Sequence, residues 1–207
     1  MIRRREALAL GLVAALAAAM PGGLRAQELD VNAVLHDPDA PESGNPKGDV
    51  TIVAFFDYNC PFCKKAEPEL NKVVREDGNV RLVYKDWPIL SEASVYGAQL
   101  ALGARYQGKY QAAHDALMAI PGTRVDQKRM TQAVREAGVD MARLQTDLNA
   151  HSEEIGALLR RNLAQADAMG LPGTPVFLIG PFKIAAALDA DGFRQAVSDA
   201  RAKGVSQ

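Results

Sequence analysis

Cysteine is nearly absent from this 207-residue chain, and the two that occur stand together in Cys60-Pro61-Phe62-Cys63. That excludes a scaffold stapled by several disulfides and a zinc site built from two cysteine pairs. Histidine is equally sparse: His36, His114 and His151 lie far apart in sequence, so no histidine motif completes a metal site around the thiols. No metal or cofactor is expected. Basic residues are not concentrated anywhere, being dispersed among acids, which excludes a nucleic-acid-binding face. The longest apolar stretch, Ala7 to Met20, has 14 residues, whereas a bilayer span needs about 20. There is no internal repeat and no low-complexity tract.

What is present at the N-terminus is an export pattern. Arg3, Arg4 and Arg5 precede the Ala-rich apolar stretch, Pro21-Gly22-Gly23 breaks it, and Leu24-Arg25-Ala26 offers a small residue for cleavage. Residues 1–26 are therefore expected to be a signal peptide and the mature protein to reside in the periplasm. The paired arginines also permit a twin-arginine signal, so the export route stays open. Without residues 1–26 the chain keeps 20 basic and 24 acidic side chains, a net charge of about −4. The remaining 181 residues suit one domain, or one domain with a sizeable insertion.

Residues 27–48 are short of apolar side chains and rich in Pro, Gly and Asn, which predicts a turn-rich lead-in where only Leu29 to Leu35 could form a short helix or strand. The β-branched and aromatic run Val50 to Phe56 predicts a buried strand, Pro61 to Arg75 a helix, and Val80 to Tyr84 a second strand parallel to the first. From about 91 to 170 the sequence turns Ala-rich with helical spacing. Four or five helices are predicted there, broken at Pro121-Gly122 and near Gly138. Strands over 175–179 and 182–186 should form a hairpin, followed by a helix from Asp191 to Lys203. The sum is an α/β fold, βαβ and ββα halves separated by an all-helical insertion, with residues 49–207 as the folded domain.

The only cysteine pair thus falls at a strand-to-helix junction of an exported protein, which reads as a reactive pair. Asp57-Tyr58-Asn59-Cys60-Pro61-Phe62-Cys63-Lys64, after Phe55-Phe56, resembles the active-site segment of the DsbA family of thiol:disulfide oxidoreductases, including its BdbD-like and ScsC-like members. Gly173-Thr174-Pro175-Val176-Phe177, about 110 residues on, resembles their cis-proline loop. The resemblance spans essentially the whole mature chain. It implies a thioredoxin fold with the helical insertion, and a cis Thr174-Pro175 bond whose loop exposes the Thr174 backbone to an extended substrate.

The chemistry gives the motif its reasons. A cysteine at a helix start meets unpaired N–H groups and the positive end of the dipole, which favours thiolate and makes Cys60 the nucleophile. Pro61 suits the first helical position. Cys63, one turn on, is expected to be the more buried resolving thiol. Pro68 predicts a kink in the helix. Phe62 replaces the histidine that DsbA carries between its cysteines, and the missing imidazolium should make the pair less oxidising, while the lack of a buried acid at Ala54 removes a repulsive charge and pushes the other way.

Many relatives bury an acid six residues before the first cysteine; here that position is Ala54, so the proton of the resolving thiol is expected to travel by water. Asp57 points to the other side and is expected to cap the turn. His114 and His151 are expected on solvated helix faces and Trp87 as a packing residue. The expected partners are unfolded or partly folded exported proteins and a membrane or periplasmic redox partner. Disulfide donation is the leading direction. A disulfide isomerase or reductase, and an ScsC-like holdase or copper-tolerance accessory binding copper(I) through the thiolates, are the alternatives.

Overall fold

The computed structural model describes residues 30–204; the expected signal peptide, 1–26, lies outside the described residues. The sheet has five strands: β1 (Glu42–Gly44), β2 (Val50–Phe56), β3 (Val80–Asp86), β4 (Val176–Ile179) and β5 (Phe182–Ile184), in the order β1-β3-β2-β4-β5. β2 and β3 are parallel, joined across helix α2 (Pro61–Asp77), while β4 pairs antiparallel with β2 and with β5. Every residue of β2 and β3 is buried, and β2 accordingly reads as a nearly continuous apolar run without alternation.

The sheet is covered on both faces. On one, Ile52, Ala54, Phe56, Leu82, Tyr84 and Phe177 pack with Cys63, Ala66 and Leu70 of α2 and with Phe193 of α8 (Ala190–Ala202). On the other, Val53, Phe55, Val83, Trp87 and Val176 meet Val34 of α1 (Val31–Leu35) and Ala166 of α7 (Ser152–Ala168). Trp87 packs edge-on against Phe55, centroids 6.1 Å apart. Full burial of side chains this size contributes about 1.5–3 kcal/mol each.

The insertion comprises α3 (Glu92–Ala104), α4 (Tyr110–Ala119), α5 (Gln127–Glu136), α6 (Met141–Ala150) and α7, with a 3-10 turn at Arg105–Gln107. The loop at 120–126 and the left-handed Gly138 (φ 83°) separate α4, α5 and α6. At Gly103 a Cβ would lie 2.8 Å from Leu144 Cδ1 and 2.7 Å from Leu148 Cδ2, so glycine permits the close approach of α3 and α6. Pro68 sits inside α2, and Gly78 ends that helix in the left-handed conformation (φ 69°).

Two expectations need correction. The lead-in is more ordered than its composition predicts, because besides α1 it supplies β1, an antiparallel strand on the edge of β3. Three polar residues carry no periodicity; the strand is held by the unpaired edge of β3, by Arg81 on Glu42 at 2.8 Å, and by Ser43 Oγ with Tyr84 Oη at 3.1 Å. His114, expected in solvent, is fully buried. It lies four residues after Tyr110 and three before Leu117, on the face of α4 that packs against the core. His151 is half-buried, stacked on Tyr106 and paired with Glu154.

Candidate active site

Cys60 is the N-cap of α2 and Pro61 its first residue. Cys60 Sγ accepts the backbone N–H of Cys63 at 3.3 Å, as a capping side chain does, and its thiol donates to the Thr174 carbonyl at 3.2 Å. The cis Thr174-Pro175 bond lies between α7 and β4, so the two motifs are brought to one place from opposite ends of the fold.

The two sulfurs differ sharply. The Cys63 thiol hydrogen-bonds to Cys60 and so lowers it most; burial opposes this, and the N–H groups of Cys63 and Phe62 add to it, leaving Cys60 at about 6 against an ordinary 9.0. Burial pushes Cys63 far up, and its bond to and charge repulsion from Cys60 push it further. At neutral pH this arrangement presents a thiolate beside a thiol.

On one side of the pair the surface is largely apolar. Phe62 is 60% exposed. It lines a hollow of about 320 Å³ with Pro172, Gly173, Thr174, Pro175 and Ala185–Ala187. Asp57 is buried and acts as the loop's backbone acceptor: Oδ1 takes the N–H of Asn59 at 2.7 Å, and Oδ2 takes those of Ile89 and Leu90 at 2.9 Å each. Lys64 Nζ reaches the carbonyls of Ile120 and Gly122, both at 2.8 Å.

Ala54 does lie in the core with both cysteines, yet that side of the sheet is not free of buried carboxylates, contrary to the sequence reading. Glu67, one turn after Cys63 on α2, receives His114 Nε2 at 2.9 Å and Asn71 Nδ2 at 3.0 Å. His114 Nδ1 meets Tyr58 Oη at 3.0 Å, and Tyr110 donates to Asp86 Oδ2 at 2.9 Å. Burial raises Asp86 to about 6. Burial would lower His114, but the charge and hydrogen bond of Glu67 outweigh it and raise the imidazole above 6.5. A signal for Glu67 existed: it shares the Cys63, Ala66, Leu70 face of the helix. Among the described residues Glu67, His114 and Asp115 also form a cluster with ligand atoms within 4.8 Å of one another, where the sequence suggested none.

The family described as Thioredoxin matches residues 37–199 of the chain. The fold is similar to that of a thioredoxin-like oxidoreductase from Silicibacter pomeroyi DSS-3, 42% identical, with a TM-score of 0.78 over 84% of this chain and 98% of that one. A periplasmic thioredoxin-like protein from Salmonella enterica serovar Typhimurium is 30% identical, TM-score 0.71, over 83% and 95%. The thiol-disulfide exchange protein alpha-DsbA2 from Wolbachia pipientis is 26% identical, TM-score 0.75, over 81% and 90%. Among curated sequences the chain is similar to Na(+)/H(+) antiporter NhaA 3 of Salinispora tropica, 29% identical in an alignment that covers 72% of this chain and 24% of that protein. The chain spans about a quarter of the length of the curated relatives it matches, so the likeness concerns a segment of those proteins.

Proposed function

The chain belongs to the thioredoxin family and is a DsbA-like thiol:disulfide oxidoreductase, and from that premise we infer that it exchanges disulfides with exported proteins in the periplasm, chiefly donating them. The observation that carries this reading is the division between the sulfurs: Cys60, capping α2 and held near 6, beside a Cys63 whose proton is retained. A thiol of low pKa is a good leaving group and a poor holder of a disulfide, which favours passing the bond on.

In the donating direction a substrate thiolate attacks Sγ of Cys60 in the oxidised pair. The Cys60–Cys63 bond breaks, a substrate–Cys60 disulfide forms, and Cys63 leaves with the electron pair and takes a proton. A second substrate thiolate then attacks the substrate sulfur, expelling Cys60 as the thiolate that its surroundings stabilise. Two substrate thiols end as a disulfide and the pair ends reduced, to be reoxidised by a membrane or periplasmic redox partner. Pro61 starts the helix, Phe62 offers an apolar contact, and the backbone at Thr174-Pro175, beside Cys60, receives the extended substrate chain. The periplasmic assignment is supported by the export pattern of residues 1–26 and by the Salmonella neighbour.

The test is transfer of the disulfide from the oxidised protein to a reduced, unfolded substrate, with the reduction potential measured in glutathione buffers. Transfer that is lost in Cys60→Ser, and a potential toward about −120 mV, are expected; a value of about −200 mV or below assigns isomerisation or reduction instead. Copper(I) held by the reduced pair without turnover of any disulfide would overturn the enzymatic reading.

A further inference from the structure

Three helix N-caps meet around the residue before the nucleophile. Cys60 caps α2; Ser91 caps α3, its Oγ accepting the N–H of Ser94 at 3.1 Å; and Asp126 caps α5, accepting the N–H of Arg129 at 2.8 Å. The side chain that joins them is Asn59, which is 3% exposed. Its Nδ2 donates to Ser91 Oγ at 3.1 Å and to the Val125 carbonyl at 3.3 Å, and its Oδ1 accepts the Val125 N–H at 2.9 Å. Both ends of the carboxamide are thus engaged by the backbone of the residue preceding the α5 cap, and one end also by the α3 cap. Residues 59 and 61, on either side of Cys60, share a hollow of about 680 Å³ with Leu90, Ser91 and Val125.

We propose that Asn59 is a positioning residue for the thiol chemistry: its carboxamide fixes the N-termini of α3 and α5 beside that of α2, so that three helix dipoles, not one, bear on the Cys60 sulfur. The inference rests on the reading of Cys60 as the nucleophilic thiolate. A helix N-terminus favours an adjacent anion, and the effect fades within the first turn, so it depends on how closely the ends are held. Most charged groups about the site act on the sulfur too, but they are anchored apart from the Asn59 side chain, so their contribution is common to wild type and variants. Asp57 is taken up by three backbone N–H groups and Asp126 by its cap. Lys64 is turned onto the Ile120 and Gly122 carbonyls. Arg124 lines the hollow, and Asn59 also fixes that loop through Val125.

The experiment is the pH titration of thiolate absorbance in the full chain, with wild type, Asn59→Ala and Ser91→Gly side by side and each variant's fold checked by circular dichroism. Glycine is a tolerated N-cap, so Ser91→Gly removes one Asn59 bond with little harm to α3. Asn59→Ala is expected to leave about threefold to tenfold less Cys60 thiolate at pH near 5, and Ser91→Gly to shift it in the same direction by less. The equilibrium with glutathione should move toward a less oxidising pair in the same order. Folded variants that melt earlier but titrate as wild type would overturn the proposal, and Ser91→Gly decides if Asn59→Ala does not fold. A wild-type Cys60 that titrates like an ordinary thiol would instead overturn the reading on which the proposal stands.

Discussion

The two faces of the sheet both bury charge, and they do it in opposite ways. On the α1/α7 face Lys85, fully buried, donates to Asp37 Oδ2 at 2.7 Å, and Arg161 donates to both oxygens of the same carboxylate at 2.9 and 2.8 Å. The N–H of Asp39 completes the set at 3.1 Å. Burial pushes Asp37 up, but the bonds from Arg161 and Lys85 more than reverse it and leave it at about 2. On the α2/α4 face Asp86 takes Tyr110 on one oxygen, while the other has no hydrogen-bond partner among the described residues. One face therefore holds permanent ions that tie the lead-in and α7 to β3; the other, which carries the cysteines, holds protons that can leave. A buried pair of fixed charges anchors, whereas a buried group poised near neutrality couples folding to pH.

The sharpest way to break that contrast is to remove Asp37. Asp37→Ala leaves the fully buried Lys85 without its carboxylate and Arg161 with Asp39 alone, at 2.9 Å, for which a loss of about 3–5 kcal/mol is expected in urea unfolding. The double change Asp37→Leu, Lys85→Met should recover much of it, because the charge left uncompensated is removed. A single variant within 1 kcal/mol of wild type would mean that the ion pair anchors nothing.

A second prediction uses pH. Asp86 has a folded pKa of about 6 against an ordinary 3.8, so its contribution is fully present below about 3.8 and is lost as pH rises through 6. His114, raised above 6.5, acts in the same direction: its contribution is present below 6.5 and lost as pH climbs through the folded value. Asp37, lowered, does the reverse, and its stability is present above 3.8 and lost as pH falls toward 2. The difference in stability between wild type and Asp86→Asn should therefore change by on the order of 2 kcal/mol between pH 4 and 7, wild type losing ground as pH rises. A difference constant across that range would show that Asp86 does not titrate in the folded protein.

These two faces also mark what could be read in advance. β2, β3, α2, the C-terminal hairpin and the cysteine motif were legible because each rests on a local pattern: a continuous apolar run, a helical face, a proline at a helix start. The buried ions were not. Arg81 and Lys85 alternate with Leu82 and Tyr84 in β3 and look like a solvent face; what makes them interior is a set of acids about 40 to 50 residues earlier, in a segment whose composition reads as loop. His114 is buried because its spacing from Tyr110 and Leu117 sets it on the core face of α4, and that spacing outweighs the polarity of its ring. Asn59 touches the chain 32 and 66 residues on, a link with no local trace.

The smallest expected effect on stability falls at the exposed rim of the site, where the comparison between anchoring and reactive charge can be made with one residue. Phe62 is 60% exposed, so Phe62→His should change unfolding stability by less than about 0.5 kcal/mol. Its imidazole would stand two residues from Cys60, close to the sulfur and in solvent, carrying charge mainly below pH 6.5. When protonated it favours the thiolate, lowering Cys60 further below about 6 and stabilising the reduced form of the pair. One pKa unit at this site corresponds to about 30 mV, so the potential should become more oxidising by an amount of that order at acidic pH and by less at pH 8. A potential that moves the other way, or moves equally at both pH values, would mean that the substitution acts by repacking the rim and that charge at this position does not reach the sulfur.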